Sequence, residues 1–284
     1  MTKAEDITYS RIPADALERW AVTRACVQGD QAMRAAKLLP FLNKFDQSAE
    51  NIDRNAGYVD RAVYYNATGR TLDGLIGTAF KNDPAVTLPP KLAYLRTDCD
   101  GAKNSIYQQS QAVVSNLLQA GRHGLFVDLL SDGRPAIKSY AAENIINWRY
   151  EAERLTLVVL FETVEEPQAE GYGIDAVSQW RELYLDGQGR YVCRLWRTDK
   201  DGRPQVHPVA DQDGQLVEEL VIRTQTKTSI DFIPFRFVGA RNNDAAIDDV
   251  PLYALARLNV AHYRNSADYE DSVFFVGQAQ PVVS

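Results

Sequence analysis

The sequence predicts an α+β fold with a helical N-terminal half, an antiparallel β-rich middle and one long C-terminal helix. Apolar residues recur at helical spacing over most of residues 1–123, follow strand patterns over 124–238, and return to helical spacing over 250–276. With 284 residues, of which 45% are hydrophobic, the chain is long enough to bury a core of its own. The patterns predict a mixed domain over 1–245, a long helix over 246–276 and a short following segment over 277–284.

Local signals place four helices in the first half. Proline suits the first helical position, so Pro13 opens the first helix. Thr71 is a suitable cap for the third, and Gly121 ends the amphipathic fourth. The predicted helices run over Ala14–Val27, Ala49–Thr68, Thr71–Phe80 and Asn104–Arg122.

Turn signals divide the middle of the chain into strands. Asp132-Gly133 and Asp186-Gly187-Gln188-Gly189 are typical of tight hairpin turns. The nearly continuous apolar run at 155–161 is typical of a central strand. These signals predict a meandering antiparallel sheet. Its strands cover residues 125–130, Pro135–Tyr140, Leu155–Phe161, Trp180–Leu185, Tyr191–Arg197, Leu216–Ile222 and Phe232–Val238.

The last helix is predicted from Pro251 to about Phe275. Pro251 fits its first turn, Asp248 or Asp249 fits its cap, and no glycine or further proline interrupts it. At about 1.5 Å per residue such a helix is roughly 38 Å long. Its predicted apolar stripe is narrow, and a narrow stripe indicates packing against partner helices. The stripe consists of Leu252, Leu255, Leu258 and Ala261 or His262.

Composition excludes several classes of protein. There are 31 Lys and Arg against 38 Asp and Glu, a net charge of −7, which argues against a dedicated nucleic-acid-binding domain but allows a surface past which nucleic acid slides. No apolar run is long enough to span a membrane, and the first residues lack the apolar region of a signal peptide. Three widely spaced cysteines predict no disulfide framework and favour a reducing compartment.

The sequence contains no recognisable catalytic, metal or cofactor motif. His123, His207 and His262 lie too far apart for a helical zinc motif, and no phosphate-binding glycine loop or nucleophile elbow is present. The segment Asp98-Cys99-Asp100-Gly101 resembles part of a calcium loop, but Tyr107 stands where the closing Glu is needed, so a capped turn is the preferred interpretation. We interpret the acidic residues Glu162, Glu165, Glu166 and Glu170 as a solvated loop. The chain is therefore predicted not to be an enzyme, and an enzyme built on Asp98, Asp100 and a histidine has no support in the spacing.

Aromatic and basic residues alternate in the predicted second helix and beyond it. The tyrosines are Tyr58, Tyr64 and Tyr65, and the arginines are Arg54, Arg61 and Arg70. Such a pattern is compatible with a nucleic-acid surface. A tyrosine-lined core or a contact between subunits, with flanking arginines, is the simpler interpretation.

Four segments together resemble a known family. They are YVDRAVYYNATGRTLDGLIGTAF (58–80), AGRHGLFVD (120–128), YAAENIINWRY (140–150) and PLYALARLNVAHYRNSADYEDSVFFVG (251–277). The sequence resembles the portal proteins of tailed bacteriophages, in the branch known as a domain of unknown function. The resemblance extends from about Tyr58 to Pro281, and the last segment is its most specific part.

The resemblance implies a fold and a role. Portal proteins form rings, typically of twelve subunits, at one capsid vertex, and double-stranded DNA is packaged and ejected through the ring. It implies that residues 1–245 are a wing, 246–276 the first stem helix, and 277–284 the start of a clip, with most of the clip, the second stem helix and the crown outside this sequence. The implied partners are further copies of the chain, DNA bound without sequence specificity, the major capsid protein, the terminase large subunit and a head–tail adaptor. The implied location is the virion, after synthesis in the bacterial host cytoplasm.

Two sets of residues are candidates for contacts in such a ring. Opposite charges dense on one helix suit pairing between neighbouring helices. The candidates on the stem-like helix, facing the channel or a neighbouring subunit, are Arg257, Arg264, Asp268, Glu270 and Asp271. The candidates for contacts between wings are Arg54, Arg61, Tyr65 and Arg70. The alternative function is a capsid adaptor or scaffold protein that has a wing-like module and does not contact DNA.

Overall fold

A computed structural model describes residues 6–130, 132–168, 171–211, 214–223 and 228–277. The chain forms two compact units. The first unit comprises Met1–Ala14, Leu88–Gln109 and Arg122–Ile247, and the second comprises Asp15–Thr87, Ser110–Gly121 and Asp248–Ser284. The predicted mixed α+β class is confirmed.

This division differs from the one expected from the sequence, in which residues 1–245 form one domain. The long C-terminal helix packs on the helices of residues 49–79, so these segments join in the second unit although about 170 residues separate them along the chain. Such a long-range contact has no local signal in the sequence. The assignment of these parts to a wing, a stem and a clip stays a prediction, and of the predicted clip start only Gly277 lies within the described residues.

The second unit is helical. It holds α2 (Asp30–Ala35), α3 (Ala49–Arg61), α4 (Ala67–Ala79) and α6 (Tyr253–Val276), together with most of α1 (Ala14–Gln28) and of α5 (Ile106–Ala120). Its core consists of small side chains and tyrosines from α1, α2, α6 and the α3–α4 region. The buried members are Ala25, Cys26, Met33, Tyr58, Ala62, Tyr64, Ala256, Val260, Tyr263 and Ala267.

The predicted helix over Ala49–Thr68 is confirmed from Ala49 to Arg61 and is wrong beyond it, because the chain leaves the helical conformation at Ala62 and begins α4 at Ala67. The side chain of Asn66 caps α4 by accepting a 2.7 Å hydrogen bond from the backbone N–H of Gly69. Asparagine favours such local bonds over the helix interior. The cap of α4 is therefore Asn66 and not Thr71, and Tyr65 does not share a helical face with Tyr58.

Gly121 ends α5, as predicted, with a φ of +71° that other residues rarely adopt. A Cβ atom at this position would lie 2.6 Å from the carbonyl oxygen of Asp248 and 2.9 Å from that of Asp249. We expect Gly121→Ala to lower the free energy of unfolding by about 2 kcal/mol, because it combines backbone strain with a clash against backbone atoms. Gly74→Ala is the matched control, since a Cβ there meets no atom within 4 Å. In the α4 interior this control should be neutral or slightly stabilising in chemical denaturation, and an equal effect of both changes would contradict the argument.

The first unit is built on two antiparallel sheets. One has the strand order β11-β1-β2, and the other has the order β10-β6-β5-β4-β3 with β7 paired to β6. A small β8–β9 pair completes the unit. The strands are β1 (Arg122–Leu129), β2 (Pro135–Ala141), β3 (Ile145–Glu151), β4 (Arg154–Pro167), β5 (Ile174–Leu185), β6 (Tyr191–Thr198), β7 (Pro204–His207), β8 (Val209–Ala210), β9 (Leu216–Val217), β10 (Leu220–Val221) and β11 (Phe235–Gly239).

The two predicted hairpin turns are confirmed, since β1 pairs with β2 and β5 with β6 on either side of them. The predicted single meandering sheet is wrong, because β11 pairs with β1 in the smaller sheet and is not part of the larger one. The predicted strand over Leu216–Ile222 forms two short strands, β9 and β10. Between the two sheets lies a core that includes Phe126, Ile145, Val158, Leu160, Leu183, Tyr191, Phe235 and Phe237. No helix among the described residues is both long enough and apolar enough to cross a membrane.

Candidate assembly site

The long helix α6 buries a different face from the one predicted. Its buried side chains follow the helical repeat along one side of the helix. The predicted stripe is wrong in most of its members: Leu255 is only partly buried, Ala261 and His262 are exposed, and Leu258 is 67% exposed. The predicted acidic cap is also wrong, since the N-cap residue is Leu252. The buried residues of α6 are Ala256, Asn259, Val260, Tyr263 and Ala267.

The opposite side of α6 presents large apolar side chains to solvent. Leu258, Tyr269 and Val276 are spaced for one helical face, and Tyr269 and Val276 are 66% and 83% exposed. The small Ala261 and the polar Asn265 lie between them and are also exposed. A helix with one side in a core and a second apolar side in solvent is suited to packing against a further helix.

Asp271 connects the two predicted sets of charged residues within one chain. Its carboxylate accepts hydrogen bonds from both Arg54 and Arg61 of α3, the latter at 2.6 Å. The Asp271 side chain is only 13% exposed. Its two arginine hydrogen bonds lower its pKa. These three candidates therefore make an intrachain cluster that fixes α6 on α3.

Three further contacts extend this cluster where α3 packs on α6. The hydroxyl of Tyr58 donates a 2.8 Å hydrogen bond to Asp268. The guanidinium of Arg61 stacks on Phe274 and that of Arg54 on Phe275, at 4.2 Å and 4.6 Å from the ring centres. Each arginine thus contacts a carboxylate and an aromatic ring, which orients it firmly.

We expect Asp271→Asn to reduce the free energy of unfolding by about 1 kcal/mol. Asparagine keeps the shape of the side chain but removes the charge that pairs with two arginines. The effect is moderate because Arg54 and Arg61 are partly exposed to solvent. Glu270→Gln, one position earlier, is the control and should stay within about 0.5 kcal/mol in urea titrations. If Glu270→Gln lowered the free energy of unfolding as much as Asp271→Asn does, the effect would come from net charge and not from the contacts of Asp271.

The other candidate residues lie on the surface. Arg257 stacks on Tyr253, and the Nε of Arg264 donates a 3.0 Å hydrogen bond to the carbonyl oxygen of Leu38. Arg70 donates to the hydroxyl of Tyr65 at 2.9 Å and stacks on its ring. Glu270 is partly buried on α6. Their roles between subunits stay predictions.

Asn259 is a structurally important position that the sequence analysis does not predict. It is 4% exposed, and its Oδ1 accepts hydrogen bonds from the backbone N–H and the hydroxyl of Thr68, at 3.1 Å and 2.9 Å. Its Nδ2 donates to the carbonyl oxygen of Tyr65 at 2.8 Å. The only signal in the sequence was an asparagine between the apolar positions of a long helix. Asn259 holds the break between α3 and α4 against α6, and so sets the position of Tyr65.

The acidic segment interpreted as a loop is part of a strand, so that interpretation is wrong. Glu162, Glu165 and Glu166 lie on β4, while Glu170 lies outside the described residues. Glu162 points into the first unit, where it accepts hydrogen bonds from Tyr140 at 2.6 Å and from Arg181 at 2.7 Å. Burial alone would raise the pKa of Glu162, but the Arg181 charge and the hydrogen bonds lower it overall. Glu162 thus links the two sheets.

Arg122 is a buried cation with aromatic neighbours. It is 1% exposed, and its guanidinium lies 3.9 Å from the ring centre of Trp148 and 4.5 Å from that of Phe237. None of its three side-chain nitrogens has a hydrogen-bond partner among the described residues. Burial, with the nearby Arg11 charge, lowers the pKa of Arg122 to about 9. A buried charge with no acceptor destabilises the native state.

We expect the stability of the wild-type chain to rise relative to Arg122→Met between pH 8 and pH 10. The native state releases the Arg122 proton near pH 9, whereas the unfolded state keeps it to a much higher pH, so the unfolded state binds more protons in this window and stability increases with pH. The relative gain should be about 1 kcal/mol, measured by denaturant unfolding at each pH. Lys200→Met, at an exposed position, is the control and should show no such gain. Parallel pH profiles of wild type and Arg122→Met would contradict a depressed pKa.

The loop around Asp98 and Asp100 is a hydrogen-bonded turn, as interpreted. Asp98 accepts from the backbone N–H of Gly101, and Asp100 accepts from that of Ala102, both at 2.8 Å. Within the described parts of the chain, no group of three or more His, Cys, Asp or Glu side chains is arranged to hold a metal ion.

A family model matches the last part of the chain. Residues 251–284 match the family described as Domain of unknown function (DUF4055), and this region contains α6. No curated protein matches the chain. One solved structure, described as "Neck of empty GTA particle computed with C6 symmetry", is similar at 13% identity with a TM-score of 0.34, over 75% of this chain. The chain spans 43% of the length of that protein. A TM-score of 0.34 does not establish a common fold.

Proposed function

We propose that this chain is a bacteriophage portal subunit that forms a ring at the capsid vertex. The observation that carries the proposal is α6. The segment with the most specific portal resemblance forms a 24-residue helix, about 36 Å long, with one side fixed in the second unit and an apolar side in solvent. Identical helices arranged around an axis would cover that exposed side, which is what a stem in a ring requires.

The proposed ring is a conduit for double-stranded DNA and a platform for the terminase and head–tail connector proteins, without catalysis. The net charge of −7 supports passage of DNA without tight binding, because acidic walls repel phosphate and form few salt-sensitive contacts. Asp268 and Asp271 already bond to α3, so Arg257, Arg264 and Glu270 are the α6 charges that remain for a channel or a neighbouring subunit.

Native mass spectrometry and negative-stain imaging of the purified chain test this proposal. We expect rings with a central hole, of about twelve subunits on the portal resemblance. A monomer at every protein concentration and ionic strength would overturn it. Leu258→Glu and Tyr269→Glu should prevent ring formation, whereas Asp73→Lys at an exposed position of α4 is a control that should not.

A second measurement separates a conduit from an adaptor. A photoreactive group at Arg257 or Arg264 should cross-link to DNA in filled particles if the helix lines the channel. Rings that assemble but never cross-link to DNA would favour the capsid adaptor instead.

A further inference from the structure

The guanidinium of Arg122 is buried in the first unit without an acceptor. The residue is 1% exposed, and none of its three side-chain nitrogens has a hydrogen-bond partner in the part of the chain that the structure describes. Arg181 of the same unit shows the usual arrangement, because Glu162 accepts its hydrogen bond at 2.7 Å and Asp128 lies 3.5 Å away. A buried cation that lacks an acceptor gains free energy from an anion that reaches it.

The surroundings of Arg122 orient its guanidinium but do not neutralise it. The guanidinium carbon lies 3.9 Å from the ring centre of Trp148 and 4.5 Å from that of Phe237, and the centres of the two rings are 6.0 Å apart. Aromatic faces attract a cation but leave its N–H groups without oxygen acceptors. Gly239 stands opposite Arg122 on β11 and has no side chain to supply one. The N–H groups are therefore held by two rings in one orientation, which favours an oxyanion because little side-chain entropy is lost on binding.

Arg11 lies on the same indole ring and is exposed to solvent. Its guanidinium carbon is 5.0 Å from the ring centre of Trp148, and its side chain donates a hydrogen bond to the carbonyl oxygen of Trp148. The backbone N–H of Arg11 donates to the carbonyl oxygen of Ile146 at 2.8 Å, which fixes the main chain here. Exposed side chains change rotamer within nanoseconds, so the Arg11 guanidinium can leave its bond and turn toward an approaching anion.

We propose that Arg122 binds one small oxyanion of the phosphate class. The guanidinium matches two oxygens of such an ion, and charge-assisted hydrogen bonds of this kind are about twice as strong as neutral ones. Arg11 on the same ring adds a second positive charge, which favours a dianion over a monoanion. A phosphate of duplex DNA is fixed to a wide backbone and does not fit against buried nitrogens beside two rings. The site therefore takes a free ion, and it does not depend on the proposed ring.

Equilibrium dialysis with radiolabelled inorganic phosphate tests the site, at constant ionic strength and with chloride as the competing anion. Arg122→Met removes the cation, and Arg122→Lys keeps a positive charge without the planar guanidinium. Arg149→Met is the matched control, because Arg149 is an exposed arginine on the same strand, next to Trp148. Urea unfolding of each protein with and without phosphate gives a second readout, since an ion that binds only the native state raises the midpoint.

We expect the wild type and Arg149→Met to bind one phosphate per chain and to unfold at a higher urea concentration when phosphate is present. Arg122→Met should lose both effects. Arg122→Lys should bind at least about tenfold more weakly, and it decides the test where Arg122→Met is unfolded. Absence of saturable binding to the wild type, or equal losses in the Arg122 and Arg149 variants, would overturn the proposal.

Two further outcomes separate this site from the proposed function. Rings that bind no phosphate would overturn the site and leave the proposed portal function standing, whereas a monomer that binds phosphate through Arg122 would do the reverse. Displacement of the bound phosphate by a short DNA duplex would assign Arg122 to nucleic acid and would also overturn the free-ion site.

Discussion

Replacing Glu162 with glutamine should lower the free energy of unfolding by about 3 kcal/mol. Glu162 and Arg181 are 13% and 20% exposed at the side chain, and the pair sits where β4 and β5 meet Tyr140 of β2. The substitution leaves the Arg181 cation with only Asp128, at 3.5 Å, as a described carboxylate partner. Removing one partner of a buried ion pair costs more than removing both, because the remaining charge has been taken out of water.

Two variants separate this explanation from a general effect of charge. Glu165→Gln lies on the exposed side of the same strand and should change stability by less than about 0.5 kcal/mol. The double change Glu162→Leu with Arg181→Met should be less destabilising than Glu162→Gln alone, since it removes the unpaired charge. Chemical denaturation of all three variants provides the comparison, and a Glu162→Gln variant as stable as the Glu165→Gln control would refute the buried pair.

The pH dependence should report the same pair. The pKa of Glu162 is lower in the native state than in the unfolded state, so the unfolded state binds more protons in acid. The ionised Glu162 therefore makes its full contribution to the free energy of unfolding at pH values above its unfolded-state pKa of about 4.3. That contribution is lost as the pH falls through the lower pKa of the native state. Glu162→Gln should unfold with a shallower acid dependence than the wild type.

Local sequence signals predict helix ends and hairpin turns well where a single residue determines the backbone conformation. Pro13 and Gly121 mark helix ends at the observed positions, and Asp132-Gly133 marks a hairpin. The α3–α4 break was missed because its cause is Asn259, almost 200 residues away in sequence. The pairing of β11 with β1 was missed for the same reason, since over 100 residues separate these strands.

The sequence predicts several residues of the candidate site but not which of them contact one another. The sequence predicts Arg54 and Arg61 at a contact between wings and Asp271 at the channel or a neighbouring subunit, whereas the structure joins all three within one chain. A charge pattern on one helix does not reveal which other helix will meet it. Glu162 was missed because an acidic run in a sequence is most often solvated, and only the pairing of β4 with β5 shows that Arg181 lies beside it.

The second large effect is expected for Asn259→Leu, which should lower the free energy of unfolding by about 3–5 kcal/mol. Leucine is close in size to asparagine but leaves the Thr68 N–H and the Thr68 hydroxyl without their acceptor. The Tyr65 carbonyl oxygen loses one of its two donors and keeps the N–H of Ala67. Each buried polar group that loses its partner costs about 1–3 kcal/mol, and these losses are not independent. Tyr64 is affected less, since its hydroxyl also bonds to the carbonyl oxygen of Cys26 at 2.7 Å.

Asn82→Leu is the matched control, because Asn82 is exposed in the second unit, just after α4. It should change stability by less than about 0.5 kcal/mol in denaturant unfolding. Amide hydrogen exchange gives a local readout, since Asn259→Leu should raise exchange at Thr68 and at the start of α4 more than elsewhere in the second unit. If both asparagine variants unfolded at the same denaturant concentration, α6 would hold α4 through apolar contacts alone. If Asn259→Leu lowered stability without local exchange at Thr68, the loss would lie in core packing and not in the polar junction between α6 and the α3–α4 break.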